Sequence, residues 1–218
     1  VAFIKNRKSL TYNEPNSRAI YKFPKKFFKV KTPFNMTDQL FGYPFYQLSK
    51  LENFNKKQII QEIYNAKWGC TGLGGKIDNS SNRGGFQSDK IEELFPITLR
   101  YVKNRLASPD GLDFKHHVRS AWANINKKGN YNAPHHHGPY GYSGILFITD
   151  APGLEFVDTN MSALHVTNVS PSIDGKSGCM VVFPSPLIHW VEPSQSTEDR
   201  ITFAFNIDIL KTIRVPLF

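Results

Sequence analysis

The sequence predicts an α+β protein with its helices first and an all-β second half. Three observations carry this. Residues 36–106 hold two stretches of helical spacing. From residue 115 on, short apolar or alternating runs recur, separated by Gly, Pro, Asn and Asp. The composition, 40% hydrophobic and 13% aromatic over 218 residues, supplies a sizeable core and excludes wholesale disorder.

The first helix is expected after Asn55, an N-cap residue, with Ile59, Ile60, Ile63 and Tyr64 on one face. The Gly-, Ser- and Asn-rich stretch 68–88 reads as a long loop, and its 69–86 part as a lid or an ordinary connection. A second helix is expected over 88–105, capped by Ser88 or Asp89, with Glu92 and Glu93 in its first turn. Pro96 lies inside that span and favours two helices meeting at Phe95. Six strands follow, at 118–125, 143–149, 154–157, 179–183, 188–191 and 201–209. Spacing of this kind argues an antiparallel sandwich or barrel, with the helices as a layer over one face.

The charge is lopsided. Residues 1–110 hold 19 of the 27 Lys and Arg but only 9 of the 18 Asp and Glu. Much of the excess falls in 1–34, so residues 1–35 are read as a basic arm and 36–218 as the folded domain. Such an arm meets nucleic acid, membrane or an acidic partner, or is a solvated Lys-rich face. An aromatic-basic readout motif for nucleic acid is lacking. Two cysteines, Cys70 and Cys179, form neither a disulfide framework nor a four-thiolate site, and a reducing, cytoplasmic setting is expected. No apolar run approaches the length of a membrane-spanning helix.

The seven histidines carry the chemistry. His116-His117 precede the first strand, and His165 reads as a surface strand residue. In an extended His135-His136-His137 the outer two imidazoles share a face. His189 opens a later strand. Two ligands close together and one distant form a facial triad with open positions. Taken singly, a His run is a surface accident and a lone His before Trp is a core side chain. Eleven residues beyond His189 stands Arg200, with Thr202 on the same strand face. An inward Arg pairs with an anion, and a guanidinium takes a carboxylate through two parallel bonds. Asn124 and Asn126 share one face and are candidate hydrogen-bond donors, or simple backbone caps.

With these residues in view, the chain resembles the Fe(II)/2-oxoglutarate-dependent dioxygenase superfamily. More narrowly, it is similar to the 2-oxoglutarate oxygenase group common in marine bacteria and their phages. The likeness covers roughly residues 79–208. It rests on the stretch Asn82 to Ser88, on Trp122 to Asn126 followed by Gly129, and on Pro134 to His137. It continues through Ser143-Gly144, Gly178, Phe183-Pro184-Ser185 with His189, and Arg200 to Asn206. The resemblance implies a double-stranded β-helix (jelly roll, cupin-like) with N-terminal helices packed on one sheet. It further implies Fe(II) on His135, His137 and His189, and 2-oxoglutarate held by Arg200 and Thr202, with Asn124 and Asn126 beside it. The cosubstrate and O2 would together oxidise an unidentified primary substrate, with succinate and CO2 as coproducts.

The chain departs from the superfamily at one place. The usual second ligand is an acid, and His137 occupies that position. Three neutral imidazoles leave the site one negative charge short, which favours ions such as Cu(II) or Ni(II). The alternatives are a carboxylate supplied by Glu155 or Asp158, and a halogenase-like register with His136 first and Gly138 at the acid position. A non-catalytic or differently metallated protein, for instance a copper binder, is the competing function.

Overall fold

The computed structural model describes residues 38–40, 43–69, 81–88, 92–139, 141–157 and 172–210. The basic arm expected at 1–35, Cys70, Asp158 and His165 lie outside them.

Helix α1 (Lys56–Gly69) begins where Asn55 predicts, because the Asn55 Oδ1 accepts the Gln58 N–H at 3.1 Å. Ile59 and Ile63 are buried from its inner face. The second helical stretch breaks at Phe95 into a 3-10 turn, Glu92–Leu94, and helix α2 (Pro96–Leu106). Pro96 at the first helical position needs no amide partner there. Ser88 does not cap α2, and Asp89 lies outside the described residues. Instead the Glu62 carboxylate of α1 accepts the Ile97 and Thr98 N–H groups at 2.6 and 2.8 Å. Ser88 is buried elsewhere, exchanging hydrogen bonds with the Ala123 backbone.

Among the described residues twelve strands form two antiparallel sheets: β1 (Asp38–Leu40), β2 (Tyr43–Leu48), β3 (Asn82–Arg83), β4 (Phe86–Gln87), β5 (His116–Asn126), β6 (Tyr131–His135), β7 (Tyr142–Phe147), β8 (Ala151–Phe156), β9 (Ser172–Gly175), β10 (Met180–Pro184), β11 (His189–Val191) and β12 (Arg200–Ile209). The larger sheet has the order β1-β2-β10-β7-β12-β5-β4 and the smaller β3-β6-β11-β8-β9. All six expected strands are present, with ends shifted by up to three residues. The stretch 82–87 departs from the expected loop: β3 joins the smaller sheet and β4 the larger, so this segment ties the two sheets together. Gly84 makes the turn between them at φ +81°, a conformation glycine adopts without cost.

One face of the larger sheet packs on the helices. Ile59, Ile63, Leu99, Val102 and Leu106 form a single buried cluster with Ala121, Ala123, Ile125, Ile201, Phe203, Phe205 and Ile207. Between the sheets, Phe147, Leu154, Phe156, Val181 and Phe183 form a second cluster. Strand β12 alternates: its odd-numbered residues meet the helices, while Arg200, Thr202, Ala204 and Asn206 line an inter-sheet cavity.

Candidate metal and anion site

Backbone pairing builds the site. In the smaller sheet His189 lies directly opposite His135 across the β6–β11 ladder, with Phe156 of β8 on its other side. The chain leaves β6 at His135 but stays tied to the β10–β11 loop, since the His137 N–H donates to the Ser185 carbonyl at 2.9 Å. Three imidazoles thereby meet. Ring centroids are 4.3 Å apart for His135–His189, 4.9 Å for His135–His137 and 5.1 Å for His137–His189. One ligand nitrogen from each lies within 4.8 Å of the others.

Backbone carbonyls orient two of the rings. The Ala133 carbonyl lies 2.8 Å from His135 Nδ1, and the Leu187 carbonyl 2.9 Å from His189 Nδ1. A carbonyl only accepts, so each Nδ1 carries the hydrogen and each Nε2 keeps its lone pair. The His137 Nε2 lies 3.3 Å from that of His189. The His137 ring stacks on Trp122, with centroids 5.4 Å apart. His189 is only 2% exposed. Its burial, followed by the neighbouring His135 and His137, holds its pKa well below 6.5, so the imidazole is neutral.

The imidazoles open into a cavity of about 510 Å³ between the sheets. Its β5–β12 wall is read from the ladder: Asn206 faces Ser120, Ala204 faces Trp122, Thr202 faces Asn124 and Arg200 faces Asn126. Trp122 carries His137, so Thr202, Asn124 and Arg200 lie to one side of the rings and Asn206 and Ser120 to the other. Arg200 is 5% exposed and donates to two backbone carbonyls, Glu192 at 2.9 Å and Asn130 at 3.4 Å. No carboxylate among the described residues pairs with it. Burial pushes its pKa down to about 10. A buried guanidinium without an acid partner is costly and favours an anion beside it. Asn124, 7% exposed, lines the cavity with an Oδ1 that no group satisfies.

The expected residues therefore divide. His135, His137, His189, Arg200, Thr202 and Asn124 all line this cavity, and Asn126 does not. Asn126 donates to Asn132 Oδ1 at 3.3 Å and packs under Gly85 instead. His136 is exposed and accepts the Gly138 N–H, so the His136-first register does not form the cluster. Glu155 alternates away from the cavity on β8, and the cluster contains no carboxylate among the described residues. His116 bonds to the Phe114 carbonyl, away from the cavity lining.

Sequence reasoning assigned no role to Trp122, Asn206, Ser120, Ser143 or Ser185. Trp122 was visible as the i−2 neighbour of Asn124. Asn206 was visible as the i+6 neighbour of Arg200 on one strand face. The hydrogen-bonded chain Ser185–Ser143–Asn206–Ser120, with links of 2.9, 3.0 and 3.0 Å, spans 86 residues and leaves no local signal.

The donor set suits a divalent transition metal, and the buried Arg200 guanidinium, with no carboxylate partner among the described residues, suits an anionic ligand such as a carboxylate. Residues 120–206 match a protein family described as "Putative 2OG-Fe(II) oxygenase". Solved structures share the fold. A prolyl-4-hydroxylase from Pseudomonas putida is 16% identical, with a TM-score of 0.52, over 76% of this chain and 93% of its own. HygX from Streptomyces hygroscopicus, with nickel and 2-oxoglutarate bound, is 11% identical, with a TM-score of 0.55, over 76% and 83%. The viral collagen prolyl hydroxylase of Paramecium bursaria Chlorella virus-1, in complex with 2-oxoglutarate, is 14% identical, with a TM-score of 0.50, over 79% and 98%. No curated protein matches the chain in sequence.

Proposed function

We propose that this chain is a 2-oxoglutarate-dependent oxygenase acting on a primary substrate at the inter-sheet cavity, a reading supported by the match of residues 120–206 to the 2OG-Fe(II) oxygenase family model. Strands β5, β12, β7 and β10 lie side by side in the larger sheet and β6, β11, β8 and β9 in the smaller, the order of a double-stranded β-helix, which supports that architecture. The Nε2 atoms of His135, His137 and His189 would hold the metal. Bound there, Fe(II) supplies the activation of O2 that couples oxidative decarboxylation of 2-oxoglutarate to substrate oxidation.

The rest is the work of this chain's residues. Arg200 holds the distal carboxylate of 2-oxoglutarate through charge-assisted hydrogen bonds, and the Thr202 hydroxyl on the same face adds another. The Asn124 amide, opposite Thr202, satisfies its open Oδ1 or donates from its nitrogen. Phe147, Leu154 and Phe183 exclude water from this side of the cavity. Asn126 acts indirectly, by fixing Asn132.

One observation carries the reading. Three imidazoles from two distant segments, His135 and His137 from one and His189 from the other, converge within 4.8 Å in the same cavity as a buried arginine that no described carboxylate pairs. The test is metal analysis of protein purified without chelators, followed by 2-oxoglutarate turnover without primary substrate. Iron retention with slow succinate release is expected. Protein that binds neither Fe(II) nor 2-oxoglutarate would overturn the proposal.

A second reading draws on the missing carboxylate. Three neutral imidazoles select Cu(II) or Ni(II) over Fe(II) by ligand type. Copper retained to the exclusion of iron, without succinate release, would favour a differently metallated protein.

A further inference from the structure

Besides Arg200, a second arginine reaches the cavity. Among the described residues that line it are two arginines, Arg119 and Arg200, and four histidines, with no Asp or Glu. Arg200 is accounted for by the cosubstrate. Arg119 is not.

A β-bulge places Arg119. On β12, Asn206 faces Ser120 but the next residue, Ile207, faces Val118, so Arg119 is the additional residue of β5. Val118 packs in the helix-side cluster, while Ser120 and Arg119 both line the cavity. Bulges re-aim side chains in this way. The ion partner of Arg119 is Asp208, with Nε and Oδ1 3.6 Å apart and the two side chains 51% and 46% exposed. A pair so loose and so solvated contributes little and yields readily to a better acceptor.

The neighbouring groups also donate. The Ser120 Oγ accepts the Asn206 amide N–H at 3.0 Å, which leaves the Ser120 hydroxyl hydrogen to donate. Asn206 is held in turn by Ser143. The outer end of the cavity therefore offers a guanidinium and a fixed hydroxyl. From Ser120 to Asn126, opposite Arg200, is six residues of strand, roughly 20 Å at about 3.3 Å per residue. A five-carbon dicarboxylate does not span that distance, so Arg119 requires a different anion from Arg200.

We propose that the primary substrate is a small molecule bearing a carboxylate or phosphate, bound by Arg119 and Ser120 on the far side of the three imidazoles from Arg200. The volume of about 510 Å³ is of small-molecule size. This inference rests on the oxygenase reading for the word substrate, but the anion site stands on its own geometry.

The test separates the two. Benzoate, benzamide and benzylamine share a ring and differ in charge. Their binding to the full Arg200→Gln chain is measured by saturation-transfer NMR, which keeps Arg200 from contributing. Benzoate is expected to bind in preference to both others. Adding Arg119→Gln should weaken it about tenfold, the equivalent of one charge-assisted hydrogen bond, and bring it level with benzamide. Equal binding of the three probes, or benzoate binding indifferent to Arg119, overturns the site. With unaltered protein, Fe(II) and 2-oxoglutarate, the compounds that raise succinate release should carry a negative charge. A neutral or cationic compound doing so overturns the substrate class. Absence of succinate under all conditions overturns the oxygenase reading alone, and the benzoate measurement still decides the anion site.

Discussion

His135 and His189 face each other across the β6–β11 ladder with ring centroids 4.3 Å apart, although they come from separate segments of the chain. Each also lies against a carbonyl two residues before it, Ala133 for one and Leu187 for the other. Strand pairing and a local hydrogen bond together aim both rings before any ligand arrives. Such preorganisation lowers the ordering cost of binding.

Removing one ring should therefore remove a ligand rather than the fold. His135→Ala or His189→Ala is expected to lower metal affinity by roughly 100-fold or more, beyond the effect of losing an outer-shell partner. Circular dichroism should stay native. Metal titration of both variants checks this, and unchanged affinity in both would place the metal elsewhere.

His137→Asp restores the missing charge. Fe(II) affinity and 2-oxoglutarate turnover should hold or rise, and preference for Cu(II) should fall. Competition between the two ions measures it. Loss of metal in this variant would show that three imidazoles are the working set.

Arg200→Ala should cost 2-oxoglutarate about 2–5 kcal/mol of affinity, the range for truncating one partner of a buried charge pair. Calorimetric titration reads it. An affinity equal to that of the parent chain would remove Arg200 from the role.

The metal-free protein should lose stability in mild acid. The folded pKa of His189 is depressed below 6.5, so the unfolded chain binds a proton that the folded one refuses. The stability contributed by this neutral ring is full above about pH 6.5. It falls as pH drops toward the folded pKa, by up to about 1.4 kcal/mol per pH unit. Urea midpoints at pH 7.5 and 5.5 should differ less for His189→Gln than for the parent.

Two positions away from the rings test the scaffold. Glu62→Ala leaves the first amides of α2 without their acceptor and should destabilise by about 1–2 kcal/mol, with metal binding intact. Gly85→Ala would place a methyl 2.7 Å from Asn126 Oδ1 and 3.0 Å from the Ile125 carbonyl. Overpacking there should cost about 1–3 kcal/mol. Thermal melts of the two variants check both values.

The period-two strands and the first helix were legible because their signals are local: Asn55 caps at three residues' range, and β12 alternates along its own length. That Arg200 and Thr202 share one strand face was legible for the same reason. Glu62 was not, because it caps a helix more than thirty residues onward that begins with Phe95 and Pro96 and offers no side-chain cap of its own. Arg119 was hidden by the bulge, which reverses the face that simple alternation assigns. Asn126 shares a face with Asn124 but lies beyond the residues lining the cavity, under Gly85, which alternation alone does not reveal. The stretch 82–87 read as loop since strands of two residues leave no periodicity.

The alternation of β12 binds chemistry to folding. Its even positions furnish the polar wall and its odd positions the apolar seam beneath the helices. A slip of one residue would thrust Ile201, Phe203 and Phe205 inward and strand a guanidinium in oil. Any drift in what this protein acts upon must therefore proceed by exchanging side chains at fixed stations, since sliding the strand would unmake the molecule first.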